Sequence, residues 1–261
     1  MKKIALITGG SSGIGLAVAS ELSSQFQLIL VARKSDGLAK AKKQLEQLGA
    51  HVETIAHDVT EDPDALEEAA HYASVQLGGD GMVDVLVHCA GVTIEEDAAS
   101  EAEKSCFAIN VLGTAHVLAT GKNLLVRNGH VLVFSSLAAF VPLPGISKAY
   151  GESKRGTWKA AESAREAFER IGVNLSVAFP PVVDTPMVQA LKCTAPIYRA
   201  FPWLTAQTVA RVSLRKMFAR REMIHFSLQY AILAKASMYL PRTIETVIRS
   251  YIPLLVYIKG A

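Results

Sequence analysis

Cysteine is scarce in this 261-residue chain, and the three present are scattered. Cys89, Cys106 and Cys193 form no spacing that reads as a disulfide framework. None of the seven histidines stands at metal-ligand spacing to a cysteine or to another histidine. No metal site is expected, and the thiols suit a reducing, cytoplasmic compartment. Low-complexity tracts, solenoid-length repeats and blocks of like charge are missing too, which excludes a disordered or repeat-built chain. No run approaches the roughly 20 uninterrupted apolar residues of a spanning helix. The opening "MKKIALITGG" has too short an apolar stretch before its glycine turn to read as a signal peptide. No basic groove interleaved with aromatics suggests nucleic acid.

What is present is a globular composition, 50% apolar and 20% charged, long enough for one large α/β domain. The net charge of +3 conceals an asymmetry. From Lys192 onward eleven Lys/Arg face two acids, whereas the preceding residues carry sixteen basic against twenty-two acidic groups. A tail of that charge points to an anionic partner.

Short apolar stretches alternate with helical patterns. Strands are expected at 3–8, 27–33, 51–59, 83–91, 129–136 and 173–181. Between them lie helices, one opened by Asp62 as N-cap with Pro63 at its first position. A long helical stretch is expected around residues 97 to 127. Buried strands alternating with helices make a parallel sheet covered on both faces, whose ligands bind at the carboxyl ends of the strands. The expected fold is therefore α/β, a Rossmann-like doubly wound parallel sheet in a single domain. Residues 1–190 form its dinucleotide-binding catalytic core, and 191–261 a C-terminal, largely helical substrate-binding segment.

The first strand runs into "TGGSSGIG", Thr8 to Gly15. Glycines let a backbone turn tightly against a pyrophosphate, and the helix N-terminus then meets the anion with unpaired N–H groups. Gly9, Ser11, Ser12, Gly13, Ile14 and Gly15 are the candidate cradle, against the plainer reading of an ordinary strand-to-helix turn. The second strand ends at Arg33 and Lys34, where a guanidinium fork fits a 2′-phosphate and favours NADPH over NADH. Two surface cations are the alternative. Asp58, beside Val59 at the end of the third strand, is placed to bond an adenine amino group, or else merely closes an Asx turn.

The glycine turn, "HCAG" (88–91), Asn110, the pair Ser135–Ser136, and Tyr150 followed four residues later by Lys154 occur in one order. Together they resemble the short-chain dehydrogenase/reductase family, from Ile4 to about Pro186. "LVARKSDGLAKAKKQLE", "INVLGT" and above all "VAFPPVVDTP" are similar to its 3-ketodihydrosphingosine reductase branch. Most of the wider family has Pro-Gly where this chain has Pro180-Pro181. The resemblance implies NADPH-dependent reduction of a long-chain, lipid-like ketone. Ala90, Gly91, Val183 and Thr185 would approach the cofactor, and Asn110 would anchor a water relaying protons to Lys154. Three departures stand out. His88-Cys89 replaces the commoner Asn-Asn, which would loosen a backbone brace. Ser136 lies fourteen residues before Tyr150 rather than the usual thirteen, so Ser135 and Ser136 both remain candidates. Gly37 replaces a basic residue of the branch, leaving that charge to Lys34.

Carbonyl reduction needs a proton as well as a hydride. Tyrosine ordinarily holds its proton with a pKa of about 10. Residues four apart on a helix are neighbours, so Lys154 is expected to make Tyr150 more acidic while reaching the nicotinamide ribose. Tyr150 would be the general acid, and Ser136 would bond the substrate oxygen. The structural alternative is a lysine stem lying over a ring. Other carbonyl substrates, such as a 3-oxoacyl thioester or a steroid-like ketone, and a non-catalytic NADPH-binding regulator stay open.

Past residue 186, "TAQTVARVSLRKMFARRE" reads as a basic amphipathic helix and "MIHFSL" as a short last strand. The apolar remainder is interrupted by Lys235, Pro241, Arg242 and Arg249. It fits peripheral contact with a membrane interface, or equally a helix pair packing into a homo-oligomer.

Overall fold

A computed structural model describes residues 3–95, 99–142, 146–191 and 203–239. Strands β1 (Lys3–Thr8), β2 (Phe26–Ala32), β3 (Val52–Ala56), β4 (Val83–His88), β5 (Leu125–Phe134), β6 (Asn174–Ala178) and β9 (Met223–Ile224) form one sheet in the order β3-β2-β1-β4-β5-β6-β9. Every pair in it is parallel. The order reverses between β1 and β4, which opens a crevice at their carboxyl ends.

Alternation along each strand sends neighbours to opposite faces. Ile4 and Leu6 join the core under α3 (Pro63–Gln76), α5 (Gly113–Leu124) and α6 (Lys148–Arg170), alongside Leu66, Val117 and Phe168. Ala5 and Ile7 join the other core, under α1 (Gly13–Leu22), α2 (Ser35–Glu46) and α8 (Ala206–Phe218), alongside Val18, Leu38 and Val209. Both faces are covered, which is why the strands read as continuous apolar runs. Asp62 caps α3 by accepting from the Asp64 N–H at 3.0 Å, as expected, with Pro63 as the first helical residue.

The stretch expected as one helix around 97–127 is more divided, and part of it lies outside the described residues. Helix α4 (Ser100–Phe107) passes into a π-helical turn (Ala108–Leu112), then into α5, which stops at Leu124. Strand β5 begins at once, four residues before the expected start. Its first residue pairs with Val83, and the register then shifts where Asn128 takes a left-handed φ of 67°. Asn128-Gly129 therefore forms a bulge inside the strand. At the other end, β9 keeps only Met223–Ile224 of the expected "MIHFSL". His225 lies beyond the ladder, its ring stacked on Phe179 with centroids 5.2 Å apart.

A second, two-stranded sheet was not foreseen. It joins β7 (Val183–Asp184) to β8 (Leu204–Thr205) and holds the segment after β6 over the crevice. Short helix α7 (Pro186–Gln189) follows β7, and α9 (Leu228–Tyr239) closes the described chain. No helix among the described residues is long and apolar enough to cross a membrane, and no group of His, Cys, Asp or Glu among them is disposed to hold a metal.

Candidate active site

The glycine turn is built for close approach. A Cβ on Gly15 would sit 2.2 Å from the Gly9 carbonyl oxygen, and one on Gly9 would lie 2.8 Å from the backbone of Cys89 and Ala90. Ser12 caps α1 without any side-chain capping bond, so the first N–H groups of the helix stay available to an anion. A groove of about 470 Å³ begins there, lined by Gly9, Ser11, Ser12, Gly13, Ile14, Gly15, Arg33, Lys34, Asp58, Val59, Ala90, Gly91 and Thr185. Its walls fit an elongated dinucleotide: a backbone cradle at one place, cations at one end.

A second cavity of about 220 Å³ adjoins it, sharing Ile14, Cys89, Gly91, Thr185 and Met187. Ser136, Tyr150, Lys154 and Val183 line this one, under a largely apolar roof that includes Pro180, Pro181, Val188 and Trp203. Every residue expected at the site lines one cavity or the other, except Asn110. Met187 lines both without any sequence signal, and Cys89, noted only as a departure in "HCAG", lines both too.

Tyr150 and Lys154 stand in the first two turns of α6, opened by Ser147, whose hydroxyl accepts from the Ala149 N–H at 3.1 Å. The two serines before them are not equivalent. Ser135 donates to the Lys154 carbonyl at 2.8 Å, so its proton is spent holding the helix. Ser136 accepts from the Ala138 N–H at 3.1 Å, which leaves its own proton to give, and its side chain lies beside the Tyr150 phenol.

The electrostatics reverse one expectation. Burial pushes the Tyr150 phenol up to about 12; the Ser136 side chain pulls the other way and Cys106 adds to the rise. Lys154 is not among the causes. Its ammonium donates to the Phe134 carbonyl at 3.4 Å, and burial brings it down to about 8. Desolvation outweighs the i, i+4 proximity, and the phenol keeps its proton more firmly than a free tyrosine. The ring still faces an open cavity and is only half-buried, which tempers the rise.

Asn110 lies behind the cavities, in the π-helical turn. Its Oδ1 accepts from the Val92 N–H at 2.9 Å, and its Nδ2 donates to the Val92 carbonyl, Ser153 Oγ and Cys106 Sγ at 3.0, 2.9 and 3.2 Å. Its carbonyl accepts from both Thr114 Oγ1 and Thr157 Oγ1 at 2.6 Å. A carbonyl oxygen has two lone pairs, and both are taken.

His88 extends this network. Thr114 has given its proton to Asn110, so it accepts from His88 Nε2–H at 3.0 Å. The other ring nitrogen, Nδ1, then accepts from Thr8 Oγ1 at 2.8 Å, and Thr8 accepts in turn from the Ala90 N–H at 3.4 Å. The brace expected to loosen is thus made by both ring nitrogens of a neutral histidine. The partner roles of Thr8, Thr114 and Thr157 were not foreseen, although Thr8 opens the glycine turn and Thr114 closes "INVLGT", one helical turn after Asn110.

At the cationic end, Asp58 Oδ1 closes an Asx turn, accepting from Thr60 N–H at 3.0 Å and Thr60 Oγ1 at 2.9 Å. Its Oδ2 faces Arg33 Nη1 at 3.7 Å. Partial burial works to raise this carboxyl, but the Thr60 bonds, with Arg33 and His57 after them, hold it below its ordinary value. Asp36 and Gly37 line the same end, and a Cβ on Gly37 would meet Ser11 at 3.4 Å, so α2 sits directly against the turn.

Burial, with the Lys154 charge adding to it, pushes His88 down to about 3. An unfolded histidine titrates near 6.5. Below that value the unfolded chain takes up a proton that the fold refuses, so stability is full above pH ~6.5 and is lost as pH falls toward 3. This one group should make unfolding in urea easier by about 2 kcal/mol at pH 5 than at pH 7. The His88→Gln protein should show a correspondingly flatter dependence on pH over that interval.

Known proteins resemble this chain in sequence and in fold. The sequence pattern of the family described as short chain dehydrogenase matches residues 3–195. A 3-ketodihydrosphingosine reductase from Bos taurus is 36% identical over 193 residues, 69% of this chain and 56% of that protein. The chain thus spans little more than half the length of that relative. A 1-deoxy-11-beta-hydroxypentalenate dehydrogenase from Streptomyces exfoliatus is 35% identical over 205 residues, covering 74% of this chain and 71% of its own. Among solved structures, a short chain dehydrogenase/reductase from Burkholderia phymatum in complex with NAD has the same fold, with a TM-score of 0.78 at 24% identity over 92% of this chain and 95% of that one. The chain belongs to the short chain dehydrogenase family.

Proposed function

We propose that this chain reduces a lipid-like ketone to an alcohol with NADPH, with 3-ketodihydrosphingosine as substrate and dihydrosphingosine as product. The observation that carries the reading is the Tyr150 phenol and the Ser136 hydroxyl side by side, both lining one largely apolar cavity beside the glycine-turn groove. Gly9, Ser11, Ser12, Gly13, Ile14 and Gly15 would hold the pyrophosphate, Val59, Ala90, Gly91, Val183 and Thr185 the adjoining parts, and Arg33 and Lys34 the 2′-phosphate. When bound there, NADPH supplies the hydride.

The protein's own share is protonation and orientation. Ser136 donates to the substrate oxygen as charge builds on it. Tyr150, held near 12, is fully protonated at neutral pH, and that is the state a proton donor needs. Lys154, near 8, is still mostly charged at pH 7 and anchors the ribose. Asn110 acts by position. Its carbonyl is filled, so a relaying water is left with the second lone pair of Oδ1. That atom and Lys154 Nζ each lie 2.9 Å from where a Cβ on Gly91 would stand, so a glycine there keeps the gap open.

The sphingoid substrate is supported by similarity to the 3-ketodihydrosphingosine reductase from Bos taurus, by Pro180-Pro181 and by the apolar cavity walls. Similarity to the pentalenate dehydrogenase favours a second reading, a different carbonyl substrate for the same chemistry. NADPH oxidation measured with 3-ketodihydrosphingosine, a 3-oxoacyl thioester and a steroid-like ketone separates the two. Turnover of the thioester or the steroid alone would overturn the sphingoid assignment. Helix α9 exposes Leu228, Ile232, Met238 and Tyr239 around Lys235, which supports peripheral contact with an anionic membrane, a second copy of the chain being the alternative cover.

Tyr150→Phe should lower kcat by about 10²–10⁴-fold while NADPH binding, followed by fluorescence, stays intact; full turnover would point to a non-catalytic binder instead. Replacing Arg33 and Lys34 with alanine should raise KM for NADPH roughly ten- to hundredfold, the size of a lost hydrogen bond to a charged group, and change KM for NADH little. The full chain should float with liposomes containing anionic lipid and not with neutral ones; a stable dimer that fails to float would assign α9 to self-association.

A further inference from the structure

Three cavities meet at Met187. It lines the dinucleotide groove, the catalytic cavity, and a third, more open groove of about 420 Å³. The catalytic cavity is small. Its volume of about 220 Å³ lies below the roughly 300–1,000 Å³ of pockets that enclose drug-sized ligands. The wall it shares with the dinucleotide groove marks part of that space for the cofactor. A ketone carrying a long alkyl chain cannot be contained there, so the chain must leave through one of the openings.

One opening leads into the dinucleotide groove, whose far end is lined by Arg33, Lys34 and Asp58. The other passes between Thr93, Met187 and Leu191 into the third groove, where Val92, Ile94 and Ala190 continue an apolar lining and Glu95 supplies a charge. Both walls of this passage are secured. The Ser147 N–H bonds the Ile94 carbonyl at 3.1 Å, Glu95 bridges to Ile146, and Asn110 grips Val92 through both its N–H and its carbonyl. The wall is therefore tied to the N-terminus of α6 that carries Tyr150. The opposite wall is α7, started by Pro186 and pinned where Gln189 donates to Asp184 at 2.8 Å.

We propose that this third groove seats the alkyl arm of the substrate, with Thr93, Met187 and Leu191 as the neck between the arm and the reacting carbonyl. The inference rests on the reduction proposed above and deepens it: the substrate is a ketone with one long apolar arm. An apolar methylene gains on leaving water, so each one seated should raise kcat/KM by about fourfold until the groove is full.

The test is NADPH oxidation by the full chain with 3-ketodihydrosphingosine analogues of graded chain length. Wild-type kcat/KM should climb with length and then level off. Ala190→Trp fills the groove from a wall that does not touch the catalytic cavity, and should lower the long-to-short ratio of kcat/KM at least about tenfold, the worth of two seated methylenes. Ile94→Trp, from the opposite wall, should shift the ratio the same way and guards against a folding defect in one variant. A ratio unchanged in both folded variants, with the wild type active, would overturn the groove assignment alone. A wild type that turns over no analogue of any length would bring down the reduction reading, and this inference with it.

Discussion

The site depends on the satisfaction of one buried amide. Asn110 is almost completely buried, and its side-chain amide and its backbone carbonyl all bond to protein. Left unpaired, such groups would cost more than most single contacts contribute. Meeting them forces four parts of the chain together: the exit of β4 at Val92, the end of α4 at Cys106, α5 at Thr114, and α6 at Ser153 and Thr157. Asn110 sits in the π-helical turn, where its backbone carbonyl accepts from Thr114 one turn along and from Thr157 of α6. Through Thr114 the same network runs to His88 and Thr8, and so to the strand ends against which the glycine turn is folded.

Burial also sets the protonation states. The removal of water that pushes the phenol up brings the neighbouring lysine and histidine down, because in each case it is the charged form that loses hydration. The outcome is a neutral phenol and a neutral histidine beside a lysine that is still mostly charged at pH 7. On the proposed reading this suits delivery of a proton to an oxygen that is gaining charge.

The cavities share walls because the loops that make them share anchors. The segment after β6 turns at Pro180-Pro181, where the prolines restrict the backbone, pairs briefly through β7, and starts α7 at Pro186. Thr185 rests against Gly13 of the glycine turn at 3.5 Å, measured from where a Cβ would stand. One short stretch therefore borders all three cavities, and the relative positions of dinucleotide, carbonyl and arm would be decided there together.

Much of this was legible in the residues alone. The order of strands and helices, the capped start of α3, the glycine turn and the placing of Tyr150 and Lys154 on one helix all follow from local rules: periodicity, capping chemistry, and the few conformations that glycine and proline permit. Such rules act over a handful of neighbours, so the sequence by itself determined them. Other features depend on residues far apart in the chain. Ser135 rather than Ser136 gives up its proton because it meets the Lys154 carbonyl. His88 braces rather than loosens because Thr8 and Thr114 arrive on its two sides, eighty and twenty-six residues away. Tyr150 becomes a weaker acid because of what surrounds it, whatever stands one turn along its own helix. These were decided by the tertiary structure, since hydrogen-bond partnership and desolvation exist only once distant segments have closed over the same space.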